Sequence, residues 1–298
     1  MTSMSSPDYA APNVNLRQVG KPLARTDAPA KCYGTAVYAG DLTMPGMLYA
    51  GVLHSDRASA WIRRIDTARA KALAGVHSVL TAEDLPAGQG VMTDMPGQTG
   101  GKTKNTQQPI LARDRVRFCG EPVALVAAES QAIMEQALGL IDVEYEETEG
   151  VHDPFDALKP GAPIVYGTDN VVASYKIRKG DVEKGFAEAD MIVENTFTTQ
   201  YQEQAFLEPE AALAWVDEHE VLNIRSSTQV VEHFRAVADA VGLPHNRVRL
   251  RAEFVGGGFG GKEVMTIEVW LALLALATRR PVRLVQPREK SFLSHGPR

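Results

Sequence analysis

Cysteine is almost missing: Cys32 and Cys119 are the only two in 298 residues, and neither stands in a C-x-x-C pattern. Two distant thiols frame no disulfide scaffold and point to a reducing compartment. An iron–sulfur centre is normally held by about four thiolates, so any cluster serving this protein sits outside these residues. The seven histidines show no ligand spacing, which leaves the sequence without a protein metal motif. Long apolar runs are also lacking. The longest, Val269 to Ala277, falls far short of the ~20 residues that cross a bilayer, and the first thirty residues contain no secretory core. No basic run exists, and Lys+Arg 31 against Asp+Glu 37 gives a net charge of −6, which argues against nucleic acid as a partner. No internal repeat suggests a solenoid or propeller. The expectation is a cytoplasmic protein.

What is present is globular. Apolar residues at 44% and charged residues at 23% match folded domains, and 298 residues suffice for two domains of about 150 each. Residues 1–24, rich in Ser, Pro and Asn, read as a flexible leader. A first domain is expected over 25–150. Met47–Leu53 reads as a buried strand, Ile62–Leu80 as strand, short helix and strand, Arg117–Ala128 as a strand, Glu129–Leu138 as a helix and Ile141–Tyr145 as a strand. Between them, Pro86–Pro109 is crowded with Gly, Thr and Gln and reads as a long surface loop. The proline-rich segment 151–164 is the expected linker to a second domain, 165–298. That domain reads as an opening segment Val171–Ile177, a short helix after Asp181, a strand pair Ile192–Gln200 and Glu210–Val216, and a strand Val221–Ser226. A helix follows from Val230 to Val241, with Val230, Phe234, Val237, Ala238 and Val241 on one face, and then a strand from Val248 to Val255. This rhythm is α+β.

The strand ends in VGGGFGGKE, Val255 to Glu263, with five glycines in six positions and a helix expected from Val264 to Thr278. Removing nearly every Cβ lets backbone amides approach an oxyanion or oxo group, and a helix N-terminus would add partial positive charge. Gly256, Gly258 and Gly261 satisfy G-x-G-x-x-G, but too little chain follows for a dinucleotide-binding fold. Gly256 to Lys262 fits GxxxxGK, yet Glu263 stands where a P-loop needs Ser or Thr for magnesium. A tight connection without a ligand is the plain alternative. Phe259 could be a core anchor, Gln229 a polar residue at a strand-to-helix junction, and Glu263 an ordinary carboxylate in a first helical turn. Glu208 and Glu210 alternate onto one strand face, an arrangement that is usually solvated, as is the Glu144, Glu146, Glu147 run.

GGGFGGKE with SSTQ at Ser226 to Gln229 resembles the molybdenum-binding subunit of the xanthine dehydrogenase and aldehyde oxidase family of molybdenum hydroxylases. GTAVYAGDL at Gly34–Leu42, LTAEDLP at Leu80–Pro86, GEPVALVAAE at Gly120–Glu129, RKGDVEKGFAEAD at Arg178–Asp190 and FLEPEA at Phe206–Ala211 agree. The resemblance runs from about residue 20 to the end. It implies an α/β hammerhead-like domain followed by the first molybdopterin-binding domain. It also implies a molybdopterin cofactor, in the cytosine dinucleotide form, whose dithiolene rather than the protein ligates molybdenum, and iron–sulfur and FAD groups on partner subunits. By the same resemblance Gln229 donates to an oxo group at the metal. Phe259 and Gly260 lie against the centre, Gly257, Gly258 and Gly261 shape the turn, and Glu263 orients substrate. Gln204 departs from a histidine common in the family. The activity implied is hydroxylation of an aldehyde or N-heteroaromatic carbon with oxygen from water. Family subunits continue well beyond this sequence and carry the general-base glutamate there. The chain is therefore expected to be inactive alone, as a fragment or as half of a split subunit completed by its other part.

Overall fold

The computed structural model describes residues 17, 20–85, 91–92, 102–103, 108–171 and 173–294. Most of the expected leader and of the Pro86–Pro109 loop lies outside these residues, as does the chain beyond Ser294. Two compact units divide the chain, Met1–Ala36 and Val37–Arg298. In the first, a short helix spans Ala28–Cys32, and the Asp27 carboxylate accepts hydrogen bonds from Arg25 and Lys31.

The second unit is built on strands β1 (Leu48–His54), β2 (Ala60–Asp66), β3 (Val76–Thr81), β4 (Arg115–Val116), β5 (Pro122–Ala128), β6 (Asp142–Glu147), β7 (Ala211–Val216), β8 (Leu222–Ser226), β9 (Val248–Ala252) and β10 (Val282–Val285). Seven of them form one mixed sheet in the order β9-β8-β7-β10-β1-β5-β3. β1 runs parallel to β10, with Leu48 opposite Val282, and antiparallel to β5, with Gly51 opposite Val126. β8 runs parallel to β9, with Ile224 opposite Leu250. The order β4-β2-β6 forms a smaller antiparallel sheet, Ile62 facing Tyr145. The large sheet takes strands from both sides of residues 151–164, where Asp153 caps a short helix, Pro154–Ala157, through the Phe155 and Asp156 amides.

β5 shows why the apolar run PVALVAA sits centrally. Side chains alternate across a strand, so Leu125 and Ala127 enter the main core while Ala124, Val126 and Ala128 enter a second one. The second core is closed by helix α1 (Gln131–Gly139), capped by Ser130 accepting from the Ile133 amide. On the main core lie α2 (His233–Val241) and α3 (Glu268–Thr278). From Val269 to Ala277 α3 is apolar all round, and every residue from Val269 to Ala275 is buried, as a helix stretch without a polar face requires. Glu268 at its start is buried too, with Ser226 Oγ as partner. At about 25 cal/mol per Å² of apolar surface, each large side chain buried there contributes on the order of 2 kcal/mol. No helix among the described residues is long and apolar enough to cross a membrane.

Several boundaries differ from expectation. The strand expected from Arg117 starts at Pro122, because Gly120, at φ 104°, turns the chain just before it. α2 begins at His233 rather than Val230 and ends on Gly242 in the left-handed region, φ 71°. Residues 192–200 belong to no strand, and β7 starts at Ala211, so Glu208 and Glu210 precede it and share no strand face. The helix expected directly after the glycines starts only at Glu268. Glu146 pairs with Arg63, and the acidic run lies on the exposed edge of β6 as read.

Candidate functional site

Three chain segments meet at the glycine turn. β8 delivers SSTQ, and this segment is fastened at each step. Ser226 Oγ donates to Glu268 at 2.8 Å, Ser227 Oγ accepts from the Ala211 amide at 3.1 Å, and Thr228 Oγ1 accepts from the Val230 amide at 3.1 Å. Gln229 is thereby brought to the turn. Its amide donates to the Lys262 carbonyl at 3.0 Å, and its Oε1 accepts from the Gly260 and Lys262 amides at 3.2 and 3.3 Å. With Oε1 committed to backbone, the remaining hydrogen-bonding capacity of Gln229 is its Nε2, a donor.

The turn itself is tightly specified. Gly257 and Gly260 hold φ of 103° and 89°, and Phe259 sits at φ 50°, a left-handed conformation that costs a non-glycine residue about 1–2 kcal/mol. Phe259 is 64% exposed, so it is no core anchor. Strain on an exposed aromatic is the kind of feature found at functional sites. The turn closes on itself through Gly261 N–H to the Gly258 carbonyl at 2.7 Å and Glu263 N–H to the Gly260 carbonyl at 3.2 Å. Glu208 takes the Gly256 amide at 2.7 Å. None of these bonds uses the N–H of Gly257, Gly258 or Phe259, and these three amides suit an anionic or oxo ligand.

The glycines also make room for the protein's own side chains. A Cβ on Gly258 would lie 2.1 Å from Gln229 Oε1, one on Gly256 2.6 Å from the Glu208 Cβ, and one on Gly261 2.8 Å from the Phe206 ring and 3.2 Å from the Gln204 amide carbon. FLEPEA is therefore packed beneath the turn. Glu208 Oε2 pairs with Lys262 Nζ at 2.9 Å, with side-chain exposures of 12% and 2%. The ammonium lies 4.6 Å from the centroid of the buried Phe206 ring, and Arg288 covers the same ring at 5.7 Å while donating to the Leu207 carbonyl. Burial pushes the Lys262 pKa down, against the opposing pull of Glu208. His233, buried, donates through Nε2 to the Glu263 carbonyl at 2.9 Å and so fixes the backbone of that residue.

The residues singled out in the sequence are thus gathered around one turn, with two corrections. Glu208 and Glu210 are largely buried under it rather than solvated. Glu263 ends a 3₁₀ turn, Gly261–Glu263, and the carboxylate in the first turn of α3 is the buried Glu268. Phe206, Lys262 and Arg288 were not read as site residues; the signal available was a lysine at the edge of a glycine turn preceded by FLEPEA. The two phosphate readings lose their footing. Lys262 points into the protein toward Glu208, and a carboxylate occupies the amide of the first glycine, where a pyrophosphate would need a free donor. Among the described residues no group of His, Cys, Asp or Glu could hold a metal ion.

Comparison with known proteins bears directly on this turn. Residues 33–149 match the family model "Aldehyde oxidase and xanthine dehydrogenase, a/b hammerhead domain", and residues 165–298 match "Molybdopterin cofactor-binding domain". The chain belongs to the xanthine dehydrogenase and aldehyde oxidase family. It is 34% identical over 274 residues to the nicotinate dehydrogenase large molybdopterin subunit of Eubacterium barkeri, covering 92% of this chain and 62% of that protein. The aldehyde oxidoreductase of Desulfovibrio gigas superposes with a TM-score of 0.84 at 31% identity, over 92% of this chain and 31% of that one. Quinoline 2-oxidoreductase of Pseudomonas putida 86 gives 0.81 at 33% identity, over 91% and 35%. The chain therefore spans from 31% to 62% of the length of these family members. The molybdopterin-binding domain match contains both Gln229 and the glycine turn.

Proposed function

We propose that this chain supplies the metal-facing half of a molybdopterin-dependent hydroxylase that oxidises an aldehyde or N-heteroaromatic carbon with oxygen derived from water. The observation that carries the reading is the turn 256–261, with three uncommitted amides beside a glutamine whose oxygen is already held by backbone. Such a surface fits a neutral-donor cradle for oxo groups at a metal held by its own organic ligand. When bound, the cofactor supplies the two-electron oxidation. The chain's residues bind and orient: Gln229 Nε2 donates to an oxo ligand, Phe259 and Gly260 present backbone to the centre, and Gly257, Gly258 and Gly261 allow the approach. The exposed Glu263 carboxylate, its backbone fixed by His233, hydrogen-bonds and orients substrate. The cofactor is the cytosine dinucleotide form, and electrons leave through iron–sulfur and FAD groups on partner subunits.

The general base belongs to the part of the family members that this chain does not span, so the chain alone is inactive. The competing reading is a half-subunit that completes the pocket without contributing to turnover. Metal analysis and assay against aldehydes and N-heteroaromatics, with and without the completing polypeptide, test the proposal. Stoichiometric molybdenum and turnover only in the complex support it, with turnover lowered at least tenfold by Glu263→Gln. Turnover by the chain alone, or a complex that binds nicotinamide dinucleotide and no molybdenum, refutes it. If Glu263→Gln and Gln229→Leu leave a molybdenum-loaded complex fully active, the half-subunit reading replaces it.

A further inference from the structure

Every residue from Ser174 to Gln202 is exposed. Within this stretch MIVENTFTTQY, Met191 to Tyr201, has the composition of a strand: Ile192, Val193, Thr196, Thr198 and Thr199 are β-branched and Phe197 is aromatic. Period-2 spacing puts Met191, Val193, Asn195, Phe197, Thr199 and Tyr201 on one, mostly apolar side and Ile192, Glu194, Thr196, Thr198 and Gln200 on the other, mostly polar one. Yet it joins no sheet, and Val193, Phe197 and Tyr201 are 73%, 87% and 76% exposed. An aromatic, β-branched segment with unpaired backbone is a template for another strand, and folded proteins cover such edges.

From this we infer that residues 192–200 form a docking strand, completed by β-pairing with the polypeptide that makes up the rest of the large subunit. This rests on the proposed large-subunit reading. Two observations select that occupant. About two thirds of each structural relative lies outside the part this chain matches, since only 31% and 35% of them are covered. The segment also leads directly into Phe206 and Glu208, which hold the glycine turn, so a strand laid against it closes the site from the exposed Leu207 side. Main-chain hydrogen bonds would supply the affinity, and the Val193, Phe197, Tyr201 face would demand an apolar face opposite.

Hydrogen exchange on the assembled, molybdenum-containing enzyme tests this, compared with the 298-residue chain alone. The amides of 192–200 should exchange at least a hundredfold more slowly in the assembly. Phe197→Asp should weaken assembly at least tenfold while leaving the melting temperature of the isolated chain unchanged, and Thr196→Pro should do the same by removing a ladder donor. Fast exchange of these amides in an assembly that holds molybdenum, or normal assembly of both variants, overturns the docking strand without touching the cofactor reading. A concentration-dependent dimer of the isolated chain that Phe197→Asp abolishes would instead make a second copy the occupant. An assembly without molybdenum in which these amides are protected keeps the strand and refutes the cofactor reading.

Discussion

Replacing Glu208 by glutamine keeps an oxygen for the Gly256 amide but strips the charge that faces Lys262 across 2.9 Å, where the ammonium side chain is only 2% exposed. Breaking a buried pair from one side typically costs about 3–5 kcal/mol. Lys262, its pKa already pushed down by burial, can relieve part of that by losing its proton. We therefore expect Glu208→Gln to cost about 2–3 kcal/mol near neutral pH and less as pH rises. Lys262→Met keeps the stem packed over Phe206 and removes the cation, at a cost of about 2 kcal/mol. The double variant should cost less than the sum of the singles by about 2 kcal/mol, the signature of a direct coupling. Urea unfolding of the four proteins in parallel measures this. Singles that each cost less than about 0.5 kcal/mol, or a cycle additive within about 0.5 kcal/mol, would refute a buried clasp under the turn.

Three further perturbations probe other parts of the account. Gly258→Ala places a methyl 2.1 Å from Gln229 Oε1, so it should displace the glutamine and lower molybdenum occupancy of the assembled enzyme several-fold; unchanged occupancy would show that the side chain is not needed where it stands. Phe259→Gly should stabilise the chain by about 1 kcal/mol by relieving a left-handed φ of 50°, while reducing activity in the complex; a destabilised variant contradicts the strain. His54, buried beside Trp270, has its pKa lowered by burial and by the Lys290 charge from 6.5 to about 4. The unfolded chain binds that proton first as pH falls, so the stability this group confers is intact above pH 6.5 and is lost progressively toward pH 4, by about 3 kcal/mol in total. His54→Phe should flatten that part of the pH–stability profile, and an unchanged slope would contradict it.

Much of this was legible in the sequence because the signals were local. The run PVALVAA announced a strand buried on both faces, and the glycines beside SSTQ announced a turn with its backbone laid open next to Gln229. The start of α3 was not legible, since Val264 to Ile267 is as apolar as the helix and only the hydrogen-bond pattern separates them. The role of FLEPEA was hidden for a different reason. Its Glu208 reaches a lysine 54 positions away, and no period of helix or strand reports a contact of that range. The strand expected at 192–200 was read from composition alone, which says nothing of where its hydrogen-bonding neighbour resides.

The most direct test is a crystal structure of the assembled enzyme with anomalous data across the molybdenum absorption edge. A single strong peak next to the Phe259–Gly260 backbone, with Gln229 Nε2 turned toward it, is the expected outcome. A peak remote from this turn, or a nucleotide phosphate lodged on the Gly257 and Gly258 amides, would contradict the account.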